Sequence, residues 1–135
     1  MTKLVLFGDG GVGKTSWINK ILMNEWDAKY IPTIGCEVHP FYLNGKWFNI
    51  WDVAGQEKYN LDYNKMLENA DVVFIFYDDS KTSYKNVEFW KNKVGDIPIR
   101  LVRSKCDIPN NNKGNPGIPV SAKNNINVLG PFKSL

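Results

Sequence analysis

Residues 3–15 read KLVLFGDGGVGKT, and the fold turns on them. Leu4 to Phe7 form a continuous apolar run, as in a strand covered on both faces. The run enters Gly8-x-x-x-x-Gly13-Lys14-Thr15, a P-loop pattern. The following SWINKILMN places Trp17, Ile18, Ile21 and Leu22 on one side of an amphipathic helix. Strand, glycine-rich turn and helix in this order lift the pattern above chance. Glycines let successive backbone N–H groups curl toward a phosphate, and the helix presents its positive end to the same charge. The candidate cradle is Asp9, Gly10, Gly11, Val12, Gly13, Lys14, Thr15 and Ser16. Lys14 is placed to reach the β- and γ-phosphates, and the Thr15 hydroxyl to bind Mg²⁺.

Strand-like and helix-like segments alternate onward. Residues 26–35 have no clean period and read as a long loop. CEVHPFYL and KWFNIWDV flank Asn44-Gly45, a strong hairpin signal. Residues 54–69 read as a loop passing into a helix, DVVFIFYD as a buried strand, 82–94 as one helix and IPIRLVRS as a further strand. Residues 109–117 are turn formers that cannot pack a core and read as a flexible loop. A short strand IPV then precedes SAKNNINVL, with one or two helical turns. The expected fold is α/β: a doubly wound, mostly parallel sheet forming one domain over 1–135, with a reduced C-terminal part at 124–135. Ligands of such sheets bind beyond the carboxyl ends of the strands.

Composition narrows the classes. The 135 residues carry 17 basic and 14 acidic side chains spread along the chain, which gives no nucleic-acid footprint. No apolar run is long enough to span a bilayer, and the start of the chain does not read as a signal peptide. The last residues hold no cysteine to prenylate, so no membrane anchor is expected. Two cysteines, Cys36 and Cys106, read as free thiols of a reducing compartment. Lysine far outnumbers arginine and asparagine is abundant, a bias that bears on source rather than mechanism.

Further candidates follow once the P-loop stands. Asp52 ends the strand before Val53-Ala54-Gly55-Gln56 and could hold Mg²⁺. The Gly55 N–H could sense a γ-phosphate, and Gln56, the one glutamine, could orient an attacking water. Thr33, in the 26–35 stretch, could give its hydroxyl to Mg²⁺ and its N–H to the γ-phosphate.

These segments resemble a small GTPase of the Ras superfamily, and within it the Ran branch most. The resemblance rests on KLVLFGDGGVGKT, KYIPTIGCEVHP, WDVAGQEKY and SYKNVEFW, is close over residues 3–108, and fades after them. EVHP and YKNV point to Ran rather than to its sister branches. The resemblance implies a GTPase with GTP/GDP and Mg²⁺ as ligands, Lys14, Thr33 and Gln56 as its catalytic set, and Thr15, Thr33 and Asp52 around the metal. It implies that Trp26 packs against guanine, that Tyr30 closes over the γ-phosphate, and that Ser121-Ala122-Lys123 receives the guanine oxygen. His39, within EVHP, is expected to be structural or partner-facing.

RSKCD, residues 103–107, stands where the resemblance places a base-reading motif. Asp107 suits guanine, since a carboxylate accepts from the ring N–H and the exocyclic amine together. Lys105 is expected to lie along the base and the P-loop. Ser104 replaces an asparagine that ties the base loop to the P-loop and contacts the base; a serine is too short for both. The lost bond should cost on the order of 1–3 kcal/mol of nucleotide affinity.

The resemblance extends to partners: importin-type carriers, an exchange factor and a GTPase-activating protein, in the cytoplasm or nucleus of a eukaryotic cell. Departures after Asp107 and in the second switch, where Asn60 and Tyr63 stand, weaken the expected exchange-factor contacts. Two functions stay open: a slow GTP-hydrolysing switch, and a non-cycling mimic that binds the carriers as a decoy. A P-loop ATPase or kinase is a more distant third. The short C-terminal part also predicts a thinly covered sheet face, with the Arg100 head in water and Ile126, Val128, Leu129 and Phe132 as a makeshift lid.

Overall fold

The computed structural model describes residues 1–23, 29–31, 36–53, 63–106 and 116–135. Its strands are β1 Thr2–Gly8, β2 Lys29–Ile31, β3 Cys36–Leu43, β4 Lys46–Val53, β5 Val72–Tyr77, β6 Ile99–Arg103 and β7 Ile118–Pro119. Its helices are α1 Lys14–Ile21, α2 Tyr63–Leu67, α3 Lys81–Lys85 and α4 Val87–Val94, followed by a 3₁₀ turn at Gly130–Phe132.

The strands form one sheet in the order β2-β3-β4-β1-β5-β6-β7. β2-β3 and β3-β4 are antiparallel pairs, whereas β4-β1, β1-β5, β5-β6 and β6-β7 are parallel pairs. The two most apolar strands, β1 and β5, lie side by side at the centre, because only a strand covered on both faces is free of polar side chains. At the hairpin, Asn44 and Gly45 take φ of 50° and 81°, the left-handed pair that a two-residue turn between twisted strands needs.

Strand alternation divides the core in two. On one face Leu4, Leu6, Phe48, Ile50, Phe74, Phe76 and Val102 pack under Trp17, Ile18 and Ile21 of α1 and under Phe132. On the other, Val5, Phe7, Val73, Ile75 and Tyr77 pack under Met66 of α2 and Val87, Trp90 and Val94 of α4.

Three expectations change. Residues 29–31 are a strand paired with Cys36–Val38, not loop, since an edge strand needs pairing on one side only and no internal period. The 82–94 helix is two helices meeting at Asn86, and the first is capped by Ser80, whose hydroxyl accepts from the Ser83 N–H at 3.1 Å. The half-exposed Arg100 head also finds protein partners: it donates to the carbonyls of Pro131 and Lys133. Those groups end a 3₁₀ turn and lack regular partners, so the arginine serves as their cap. Of the four lid candidates, Phe132 is buried and Val128 half-buried, while Ile126 and Leu129 are exposed.

Candidate nucleotide-binding site

The glycine-rich loop joins the carboxyl end of β1 to the first turn of α1. Gly13 precedes the helix with φ of 93° and no side-chain cap, so the first amides of α1 are left for a ligand. At Gly8 an added Cβ would lie 2.6 Å from the Phe76 carbonyl oxygen, which is why the turn begins on glycine.

Protein donors hold three carbonyls of this loop. Lys14 Nζ donates to Gly8 O at 2.7 Å, Lys105 Nζ to Gly11 O at 2.7 Å, and the Ser104 hydroxyl to Val12 O. With its carbonyls turned to the protein, the loop leaves its amide edge for an anion. Its one acidic side chain is withdrawn: the Asp9 carboxylate accepts from Asn86 Nδ2 at 2.6 Å and from Trp90 Nε1 at 3.0 Å. Asp9 therefore anchors the loop to α4, and only its backbone is left to face a phosphate. A cradle of amides with lysines and no inward carboxylate fits a nucleotide's phosphates.

Two further loops close the site from the carboxyl ends of β6 and β7. Cys106 N–H donates to Val120 O at 3.0 Å and Val120 N–H to Arg103 O at 2.9 Å. Ser121 is fully buried and exchanges both backbone bonds with Ile126 at 2.9 Å, while its hydroxyl accepts from the Asn124 N–H at 3.1 Å. These bonds hold Ala122 and Lys123 over the start of α1. Between them lies a cavity of about 200 Å³, lined by Gly13, Ser16, Ser104, Lys105, Ala122 and Lys123, with Trp17 and Val120 in its floor.

Lys105, in the left-handed conformation at φ 55°, also approaches Asp78 Oδ2 at 3.3 Å. Burial alone would raise the Asp78 carboxyl. The Ser80 N–H and the Ser83 and Lys105 side chains outweigh burial and hold it below its ordinary value. Asp78 thus stays charged, steadying Lys105 and the start of α3 together.

The structure brings together the run Asp9 to Ser16 with Ser104, Lys105, Ser121, Ala122 and Lys123. Asp52 sits buried at the carboxyl end of β4, next to the strand that leads into the loop. Trp26, Thr33, Gly55, Gln56 and Asp107 lie outside the described residues, as do most of 109–117 and the side chain of Tyr30. Of the two roles expected of an asparagine here, Ser104 keeps the tie to the P-loop. Its hydroxyl reaches Val12 O, and Tyr77 O at 3.2 Å. His39 is buried, not partner-facing. Burial pushes its imidazole below the ordinary value, against the pull of Glu37 at 4.0 Å. Sequence reading missed Trp17 and Asp78 as parts of the site. The one signal for Asp78 was its place at the end of a central strand, where such sites gather.

A doubly wound sheet with a glycine-rich loop at the carboxyl end of its central strand, clasped by two further loops around a cavity, defines a P-loop nucleotide-binding protein. The sequence profile of the Ras family matches residues 3–135, and the chain belongs to that family. Membership makes it a GTP-binding switch and a GTPase in kind, with guanine nucleotide and Mg²⁺ as the ligands of the class. Among the described residues no helix is long and apolar enough to cross a membrane.

Proposed function

We propose that this protein is a Ran-type guanine-nucleotide switch that hydrolyses GTP slowly on its own and acts on importin-type carriers. One observation carries the nucleotide part: Ser104 and Lys105, from the base loop, hold the carbonyls of Val12 and Gly11 in the phosphate loop. Phosphate and base sites are thereby built as one unit. Asp107 follows two residues after Lys105 and would supply the acceptor pair that selects guanine. Thr15, Thr33 and Asp52 would hold Mg²⁺, which supplies charge neutralisation at the phosphates. Trp26 and Tyr30 would close over base and γ-phosphate, the Gly55 N–H would meet the latter, and Gln56 would orient the attacking water.

The Ran assignment rests on KYIPTIGCEVHP and SYKNVEFW, and carriers are favoured as partners because the first of these is the better-kept switch. An exchange factor and an activating protein complete the cycle. Slow turnover is supported by arginine placement. The chain has only two, Arg100 and Arg103, both on β6, and Arg100 is engaged by C-terminal carbonyls. Without an arginine at the phosphates, turnover on the order of 10⁻⁴ to 10⁻³ per second is expected.

Titration with labelled GDP and ADP tests the base preference, and equal affinities overturn it. Ser104→Asn sharpens the point. Because the serine already keeps the P-loop tie, only the direct base contact is left to regain, and a gain of about 1 kcal/mol in GDP affinity is expected. Gln56→Leu should slow single-turnover hydrolysis while leaving GTP affinity nearly unchanged, since its effect falls on the transition state. If wild type and variant both hold GTP unhydrolysed, with or without an activating protein, the chain acts as the decoy.

A further inference from the structure

The C-terminal segment covers the α1 face of the sheet with Phe132, Val128 and Leu135, and is tied to β6 and β7 through Arg100 and Asn127. The Phe132 ring stacks on Trp17 at 5.6 Å with 15° between planes, and meets Phe41, Phe48 and Phe74 at 5.1–5.6 Å. A polar tie to α1 runs from Trp17 Nε1 to Val128 O at 2.8 Å. Both end on the same indole. Trp17 belongs to the first turns of α1, is shut off from solvent, and backs the floor of the base cavity together with Val120. Val128 lies two residues beyond Ile126, which pairs with Ser121 and so fixes the Ala122-Lys123 wall of that cavity.

We propose that Trp17 is a positioning residue: it carries the seating of residues 126–132 into the floor and wall of the base cavity, so that nucleotide retention depends on a segment that touches no nucleotide. The inference rests on the guanine-nucleotide reading above. The physical reason is economy of contact. A helix laid along α1 would share its hold among many residues, so that no single one governed the cavity. Here one indole receives a stacked ring on one side and binds a carbonyl through its N–H. Displacing either partner leaves the indole free to shift and a buried donor to be satisfied anew. By linkage, a nucleotide that needs the cavity closed must in turn steady residues 126–132.

The test compares Trp17→Phe, which keeps a ring and loses the N–H, and Phe132→Leu, which loses the stack, with Val94→Ala. Val94 packs in the opposite core and supplies a general loss of stability. Release of labelled GDP from the full chain should quicken about three- to tenfold in Trp17→Phe and Phe132→Leu, the range of one net hydrogen bond. In Val94→Ala it should stay within about twofold, on the same scale of factors. Hydrogen exchange supplies a readout without nucleotide: amides of 119–126 should exchange faster in the first two variants than in Val94→Ala, and added GDP should slow exchange over 126–132 in the wild type. GDP release at the wild-type rate in both Trp17→Phe and Phe132→Leu overturns the proposal, and so does equal quickening in Val94→Ala. Failure of the wild type to retain GDP overturns the guanine reading itself, and the proposal with it.

Discussion

The two faces of the sheet are covered by different means. On the face of α4, cover comes from regular helix: Val87, Trp90 and Val94 recur at helical spacing and meet the strands over a broad front. On the face of α1, the remaining area falls to residues 126–135, which form turns and one 3₁₀ turn. That segment buries Phe132 among four other rings and uses Arg100 to hold its carbonyls. Helical cover distributes its contribution, whereas irregular cover concentrates it. A lid whose own hydrogen bonds are a few turn bonds, such as Phe132 N–H to Leu129 O and Lys133 N–H to Gly130 O, borrows further packing and polar partners from the body it covers.

Truncating one buried group of each cover should show the difference most plainly. Phe132→Ala should cost about 3–5 kcal/mol of unfolding free energy, because neighbouring rings cannot collapse into the space left. Val94→Ala should cost about 1–2 kcal/mol, the transfer of two buried methyl groups. Urea unfolding measures both, and equal losses would erase the distinction between the faces. Arg100→Met sharpens the polar half of the contrast. It keeps the stem and removes the donor, and a loss of about 1–3 kcal/mol is expected, as for a hydrogen bond from a charged group. No change in the urea midpoint would mean that water caps the Pro131 and Lys133 carbonyls equally well.

The smallest effect concerns acid and belongs to the helical face. Asp78 anchors the start of α3 through Ser80 and Ser83, and its carboxyl is held below the ordinary 3.8. Its folded pKa is the lower one, so its contribution is complete above the unfolded value. It is lost as pH falls through the folded value. Acid titration of the wild type should therefore loosen α3 and α4 below about pH 4, whereas the Phe132 plug has no such carboxylate. Asp78→Asn should flatten that limb of the stability–pH curve, and an unchanged curve would assign it to other carboxylates.

Much of the architecture was legible beforehand. The all-apolar β1 and β5 read as central strands, and Asn44-Gly45 as a two-residue hairpin turn, because these depend on residues adjacent in the chain. The pattern failed where a partner element intervened. Lys29–Ile31 became a strand because β3 offered it an edge, and Asn86 divided a helix that apolar periodicity alone made continuous. Within the site, the glycine-rich loop joins β1 to α1, and Ser121-Ala122-Lys123 follows β7. The work done by Asp9, Ser104 and Arg100 did not follow from residue type.

Sequence alone determined what local geometry dictates: a loop able to curl around an anion, a lysine and a threonine at its end, and strands apolar enough to lie inside a parallel sheet. Tertiary structure decided the pairings across long separations. Ser104 meets Val12 across 92 residues, Trp90 meets Asp9 across 81, and Trp17 meets Val128 across 111. Spacing along a chain sets backbone form over a few residues, because only neighbours constrain one another's torsions. Which distant donor meets which carbonyl is settled by strand order. That order set β6 and β7 beside the phosphate loop, where the Ser104 hydroxyl meets the Val12 carbonyl.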